Sequence, residues 1–319
     1  MFRIIFPIAL ILLTPVVHAQ IDTIAMDVPV HNATISATLF RPHGLRNVPV
    51  VILIAGSGPT DRDGNSPLLQ GKNNSLLLIA DTLVRQGIAC LRYDKRGIGK
   101  SRMAAGIKED STLFSDMVDD ARALFETLKK NGFTRIYVAG HSEGSLVGLA
   151  LCNLVNPDGF ISIAGAGRKA PDILKEQLNI LPAGLRDESF AAVDSLSNGM
   201  RVKKVNPALI SLLRPSVQPY LISWFAYDPA ALMHSLQCPA LILQGTHDLQ
   251  VKETDARALA AARPEAKLVI IPNMNHVLKE VISTDTEENV KAYSDPSLPV
   301  MKELTDEIIN FITKRSNPY

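Results

Sequence analysis

Cysteine is scarce: the 319 residues hold three, Cys90, Cys152 and Cys238, none in a Cys-x-x-Cys spacing. That excludes a disulfide scaffold and a cysteine-based zinc or redox motif. Each cysteine lies in or beside an apolar run, so buried thiols are expected, with one disulfide open to an oxidising compartment. No His-x-x-x-His pair, carboxylate cluster at ligand spacing or Gly-x-x-x-x-Gly-Lys loop occurs, so no metal and no cofactor is expected. Gly97 and Gly99 start a dinucleotide-like loop, but the third glycine and the downstream strand-end acid are missing. Net charge is also nearly absent, +1 overall and zero once residues 1–19 are removed. With no long basic run, nucleic acid and anionic membranes are poor partners.

After residue 19 no segment is long and apolar enough to cross a bilayer. Residues 1–19 themselves read as a secretory signal, with Arg3 as a short positive start, an apolar core over 4–13 and Val17-His-Ala19 as the cleavage site. Export to the periplasm or medium is the expectation. The remaining length suffices for one large α/β domain with an insertion.

The most informative stretch is Ile136-Tyr-Val-Ala-Gly140-His-Ser142-Glu-Gly144, followed by a helical pattern through Leu146, Leu149, Ala150 and Leu154. It reads as strand, tight turn, helix. A serine at such an apex is held in a strained conformation, and small residues two before and two after it let the strand and helix backbones pass. The turn exposes the Ser142 hydroxyl and aims the Glu143 backbone N–H at whatever that hydroxyl attacks.

Around this stretch strands and helices alternate. Residues 21–30 and 34–40 alternate apolar and polar about His31-Asn32, predicting a hairpin. Apolar runs at 48–55, 88–93, 136–139, 160–164, 240–244 and 268–271 predict buried parallel strands. Helical spacing covers 76–84, 112–128 (capped by Ser111 or Thr112), 254–262 and 301–313. The rhythm breaks at 168–236, which has helical patterns at 173–181, 188–196 and 209–226 but no buried strand. The predicted organisation is a signal (1–19), an α/β core (20–167 and 237–319) and an inserted helical cap (168–236) over the C-terminal edge of the sheet. Trp224 of the cap is expected to pack onto the main domain or line a substrate pocket.

A serine nucleophile needs a base, and the base an orienting carboxylate. The strand at 240–244 leads into Gly245-Thr-His-Asp248, and that at 268–271 into Pro272-Asn-Met-Asn-His276. Both loops leave the same edge as the serine turn, so Ser142, Asp248 and His276 form the expected triad, in the order Ser, Asp, His. Asp94, which also ends a central strand, is the competing acid. Among rival histidines, His141 is expected to point away into the sheet edge and His247 to shape the acid loop, while His31, His43 and His234 fall on turns or the cap. The second oxyanion donor is expected from the loop after residues 48–55, where Gly56 permits close approach and the Ser57 N–H faces the site. Asp61, Arg62 and Asp63 in that loop either bind a polar substrate group, Arg62 foremost, or form an internal ion-pair lattice.

With Gly140-His-Ser142-Glu-Gly144, Asp94-Lys-Arg-Gly-Ile-Gly-Lys-Ser101, Gly245-Thr-His-Asp248 and Asn275-His276 in view, the chain resembles the α/β-hydrolase-fold serine hydrolases over nearly all its mature length. Gly56-Ser-Gly-Pro-Thr-Asp-Arg-Asp-Gly64-Asn and His276-Val-Leu-Lys279 are similar to an exported bacterial branch of carboxylesterases and serine aminopeptidase-like hydrolases. The resemblance implies the same triad and the Ser57 and Glu143 donors. It departs at Ala55-Gly56, where many relatives have His-Gly, so only backbone donation carries over. The leading expectation is hydrolysis of short to medium carboxylic esters through an acyl-enzyme. The alternatives are an aminopeptidase-like amide hydrolase, which needs a carboxylate such as Glu176, Asp187 or Glu188 for the substrate's amine, and a noncatalytic binding protein on the same fold.

Overall fold

The alternating pattern of the N-terminal segment produces the predicted hairpin. In the computed structural model, which describes residues 20–283 and 285–314, β1 (Ile21–Val30) and β2 (Ala33–Pro42) pair antiparallel, Val30 opposite Ala33. Asn32 adopts the positive φ of 59° that so tight a turn requires. The predicted signal, residues 1–19, lies outside the described residues.

The apolar runs become β3 (Val50–Ile54), β4 (Ala89–Tyr93), β6 (Ile136–His141), β7 (Gly159–Ile163), β8 (Ala240–Gly245) and β9 (Lys267–Ile271); a two-residue β5 (Arg102–Met103) pairs with β2. The sheet order is β1-β2-β4-β3-β6-β7-β8-β9. β2 meets β4 antiparallel, and every pairing from β4 across to β9 is parallel. β3, β4, β6, β7 and β8 are buried at every position, which explains why they read as unbroken apolar runs.

The helices are α1 (Ser75–Arg85), α2 (Phe114–Lys130), α3 (Glu143–Cys152), α4 (Ala170–Leu178), α5 (Ala183–Ser197), α6 (Ile210–Leu213), α7 (Gln218–Phe225), α8 (Pro229–Ser235), α9 (Glu253–Ala262), α10 (Thr286–Lys291) and α11 (Lys302–Lys314). Strand residues alternate between two cores. Val50, Ile52 and Ile54 pack with Leu124 of α2, Leu149 of α3 and Leu259 of α9. Val51 and Leu53 pack with Leu83 of α1 and Ile308 of α11. Helices thus cover both faces of the sheet, and no helix among the described residues is long and apolar enough to cross a membrane.

Helices α4 to α7 build a separate apolar cluster from Leu174, Val193, Leu196, Leu213, Leu221 and Phe225. Met233 and Leu236 belong to the main core, so α8 carries the chain back onto the sheet. Trp224 lies between the two, stacked on Phe114 of α2 with ring centroids 6.4 Å apart.

Two local expectations change. The helix expected over 209–226 breaks at Arg214-Pro215, because the proline drives Arg214 to an extended ψ of 146°. And α2 is not capped by Ser111 or Thr112: Thr112 is extended and the helix starts at Phe114, where the Asp116 carboxylate accepts the Leu113 N–H at 2.8 Å.

Candidate active site

Steric demand shapes the serine turn. Ser142 sits at φ 56° and ψ −123°, outside the regions L-residues prefer, between the end of β6 and the start of α3. A methyl group on Gly140 would lie 2.0 Å from the Gly144 carbonyl oxygen, and one on Gly144 2.4 Å from that of Ile54. Only glycine lets strand and helix cross this closely. The Ser142 N–H is tied to the Ile163 carbonyl at 2.9 Å, anchoring the strained residue to β7.

The loops after β8 and β9 meet beside it. The Thr246 N–H donates to the Ile271 carbonyl at 3.1 Å and the His247 N–H to the Met274 carbonyl at 3.0 Å, and a methyl on Gly245 would sit 2.0 Å from that Met274 oxygen. This closeness brings His276 Nδ1 to 2.8 Å from Asp248 Oδ2. The other carboxylate oxygen, Oδ1, accepts the Gln250 and Val251 N–H groups at 2.8 and 2.9 Å. Burial pushes the Asp248 carboxyl up, but the facing His276 and those two N–H groups outweigh it and hold the carboxyl below its ordinary value. Asp248 is thus a charged acceptor that fixes His276 as the Nδ1–H tautomer and leaves Nε2 with a lone pair.

His276 is also tied to the serine turn through His141. That ring does not point away, as its place in the sequence suggested: it packs on the His276 ring with centroids 4.8 Å apart and donates from Nε2 to the His276 carbonyl at 2.8 Å. Burial, helped by the neighbouring His276, drives the His141 pKa down to about 3, so it stays a neutral brace.

The loop after β3 closes the site. A methyl on Gly56 would lie 3.1 Å from Ser142 Cβ, so this peptide abuts the nucleophile. The Ser57 and Glu143 N–H groups both adjoin Ser142, and neither has an acceptor among the described residues. Two free donors beside a partly accessible serine are what a tetrahedral oxyanion requires.

Similarity to known proteins follows this architecture. A family model described as serine aminopeptidase, S33, matches residues 73–211. Est1E from Butyrivibrio proteoclasticus superposes with a TM-score of 0.60 at 17% identity, over 92% of this chain and 98% of that one. Proline iminopeptidase from Mycobacterium smegmatis superposes at 0.57 and 14%, over 91% and 98%. The chain has the α/β-hydrolase fold. Over 279 residues the chain is 27% identical to the esterase EstD of Thermotoga maritima, covering 86% of this chain and 64% of that protein's length. It is 26% identical over 239 residues to a probable proline iminopeptidase of Leptolyngbya boryana, 59% of this chain and 73% of that one.

The cleft runs from Ser57, Ser142 and Glu143 under the cap and measures about 80 Å³. Leu146, Ile173, Leu174, Trp224 and Val251 give it an apolar wall, and Arg168 is a charged member. Arg168 is already engaged, by the buried Asp255 at 2.8 Å and by Glu176 at 2.7 Å. Glu176 is therefore ion-paired, sharing that guanidinium with Asp255. Asp187 pairs with Arg186, and Glu188 holds the Asn206 side chain; neither lines the cleft.

Arg62 requires a correction. Instead of facing substrate it is spent inside the fold: Nη2 on Asp94 at 2.7 Å, Nη1 on Thr38 at 2.6 Å, and its N–H on the other Asp94 oxygen. Asp94, the rival acid, is occupied by that arginine and by the Lys100 N–H. Asp61 closes its own loop by accepting the Asp63 and Asn65 N–H groups, and Asp63 pairs with Arg92. The lattice reading of this loop is the one its geometry supports. Sequence reasoning missed Gln244, fully buried at the end of β8, whose Nε2 donates to Asp248 Oδ2 at 3.1 Å and to the Val251 carbonyl at 3.0 Å. A polar residue ending an otherwise apolar strand was the available signal. It also missed Asn289, which bridges Asn275 of the histidine loop to the His247 carbonyl. The three thiols are buried and form no disulfide among the described residues, and burial pushes Cys90 up to about 12 and Cys152 well above its ordinary value, which makes both poor nucleophiles.

Proposed function

We propose that the protein hydrolyses carboxylic esters with short acyl groups through an acyl-enzyme on Ser142. The observation that carries this reading is the His276 Nδ1 to Asp248 Oδ2 contact of 2.8 Å beside a serine held at φ 56°. Ser142 attacks the ester carbonyl as its proton passes to His276 Nε2; Asp248 holds the resulting imidazolium, and the Ser57 and Glu143 N–H groups receive the oxyanion. The imidazolium then protonates the departing alcohol, and water reverses the sequence to free the acid. The Ser142 hydroxyl has no hydrogen bond among the described residues, so its contact with the imidazole forms as substrate enters.

Cleft chemistry favours esters over N-terminal amino acids. A substrate ammonium needs an unpaired carboxylate, and Glu176 is bound to Arg168. Glu143 lies 4.0 Å from Lys95, with the Tyr220 hydroxyl on its other side. Apolar walls and a volume near 80 Å³ suit an acyl chain of a few carbons. The matching serine aminopeptidase family model supports a second reading, amide cleavage at a peptide N-terminus.

The test is a side-by-side assay of p-nitrophenyl acyl esters and aminoacyl p-nitroanilides with wild type and Ser142→Ala. The ester reading expects kcat/KM to be higher on acetyl and butyryl esters, and Ser142→Ala to lose several orders of magnitude. Faster anilide cleavage moves the assignment to the second reading, and an active Ser142→Ala removes both. Export is part of the same proposal: residues 1–19 carry the signal pattern, and N-terminal sequencing of the periplasmic protein should begin at Gln20.

A further inference from the structure

Lys95 is a buried cation that the triad does not use. It follows Asp94 at the end of β4, is 8% exposed, and donates from Nζ to the Gly56 carbonyl. Burying an ammonium is costly unless it is partnered, and a methionine would fill the same space without that penalty. Its partners explain the choice. Gly56 C=O and Ser57 N–H belong to one peptide unit, and no peptide bond among the described residues is cis. In a trans unit the two groups point in opposite directions. An ammonium seated on the Gly56 oxygen therefore turns the Ser57 N–H to the other side of the unit, and the unit itself abuts the nucleophile, since a methyl on Gly56 would lie 3.1 Å from Ser142 Cβ.

The same ammonium lies 4.0 Å from Glu143 Oε1, the side chain of the residue that supplies the second oxyanion donor. The Tyr220 hydroxyl, from the cap, faces the same carboxylate. Lys95 is thereby connected to both walls of the oxyanion hole, to one through a backbone oxygen and to the other through a side chain. Two electrostatic consequences follow. A cation on a peptide oxygen polarises the unit and strengthens its N–H as a donor. And a positive charge just behind the hole favours the anion that forms there over the neutral ground-state carbonyl. Burial holds the Lys95 pKa below its ordinary value, and the Glu143 carboxylate opposes that fall and favours the ammonium.

Resting on the serine-hydrolase reading above, we propose that Lys95 is a positioning residue for the oxyanion hole: by bonding the Gly56 carbonyl beside Glu143 it orients and polarises the Ser57 N–H, and so stabilises the transition state without touching substrate. The expected signature is a loss in kcat with KM nearly unchanged.

The test compares wild type, Lys95→Met and Ser142→Ala on a matched pair of substrates, an ester and its thionoester, in which C=S replaces C=O. Sulfur accepts hydrogen bonds poorly, so the ester-to-thionoester rate ratio reports how much the hole contributes. For Lys95→Met the expected result is a 10- to 100-fold fall in kcat, KM within threefold, a rate ratio reduced at least fivefold, and an alkylboronic acid bound at least tenfold more weakly. Thermal melting shows whether the variant is folded. If Lys95→Met does not fold, Lys95→Gln, which keeps an N–H donor and loses the charge, is expected to show an intermediate fall in kcat and in the rate ratio. A folded variant with kcat within threefold of wild type, or a lower kcat with an unchanged rate ratio, overturns the role of Lys95. In that case an inactive Ser142→Ala leaves the serine mechanism standing; an active Ser142→Ala removes the mechanism and the Lys95 role together.

Discussion

Exchanging Asp248 for asparagine tests the acid–base arrangement most directly, because the carboxylate is surrounded by donors alone. Oδ1 receives the Gln250 and Val251 N–H groups, and Oδ2 receives His276 Nδ1 and Gln244 Nε2. An asparagine has one acceptor oxygen, so its NH2 must oppose two of these four. The two backbone donors cannot retreat, and Gln244 is pinned by the Gly245 and Val251 carbonyls. The amide nitrogen therefore takes the Oδ2 side, and His276 relieves the clash by giving up its Nδ1 proton and carrying it on Nε2. A protonated Nε2 cannot accept the proton of Ser142. The variant loses its base and the charge that steadied the imidazolium, a combined effect on the order of 10⁴ in kcat, or about 5 kcal/mol of barrier. Folding stability should fall by roughly 2 kcal/mol, since the pinned Gln244 N–H is left facing the asparagine NH2 without an acceptor. Ester hydrolysis measures the first quantity, denaturant unfolding the second, and the ¹⁵N shifts of the His276 ring the tautomer. Activity within tenfold of wild type, or a ring still protonated at Nδ1, would refute the reasoning.

Other perturbations test separate parts of the structure. Gly144→Ala places a methyl 2.4 and 2.6 Å from the Ile54 and Ala55 carbonyl oxygens, which are backbone and cannot yield; a loss of about 2 kcal/mol and a melting temperature roughly 5 °C lower are expected by calorimetry. His141 stays neutral in the fold, with a pKa of about 3 against 6.5 unfolded, so its contribution is complete above pH 6.5 and is lost as pH falls toward 3. In urea titrations His141→Gln should be less stable than wild type at pH 7, and the gap should close by about 1.4 kcal/mol for each unit below 6.5; a gap independent of pH would refute this. Trp224→Ala opens the cleft wall and removes the stack on Phe114, so the preferred acyl chain should lengthen while stability falls by roughly 3 kcal/mol. An acyl-length series that keeps its optimum would count against Trp224 as a wall.

Much of this molecule is legible one segment at a time. The five buried strands, the helices between them and the serine turn follow from residue period and from the need for glycine at 140 and 144, all decided within a few residues of chain. Asp248 and His276 are legible for a related reason: each lies just past a strand, and parallel strands deliver their loops to one edge. The β1–β2 hairpin shows the same locality, as does the break at Pro215 once the proline rule is applied to Arg214. Pairings across the fold are another matter. That His276 meets Asp248 at 2.8 Å, that His141 braces His276, that Arg62 is consumed by Asp94 and that Lys95 reaches Gly56 depend on how loops from β3, β4, β8 and β9 lean together once the two cores are packed. Periodicity records which face of an element is buried. It carries no information on which distant side chain occupies the space opposite, because that is set by close packing of the whole domain.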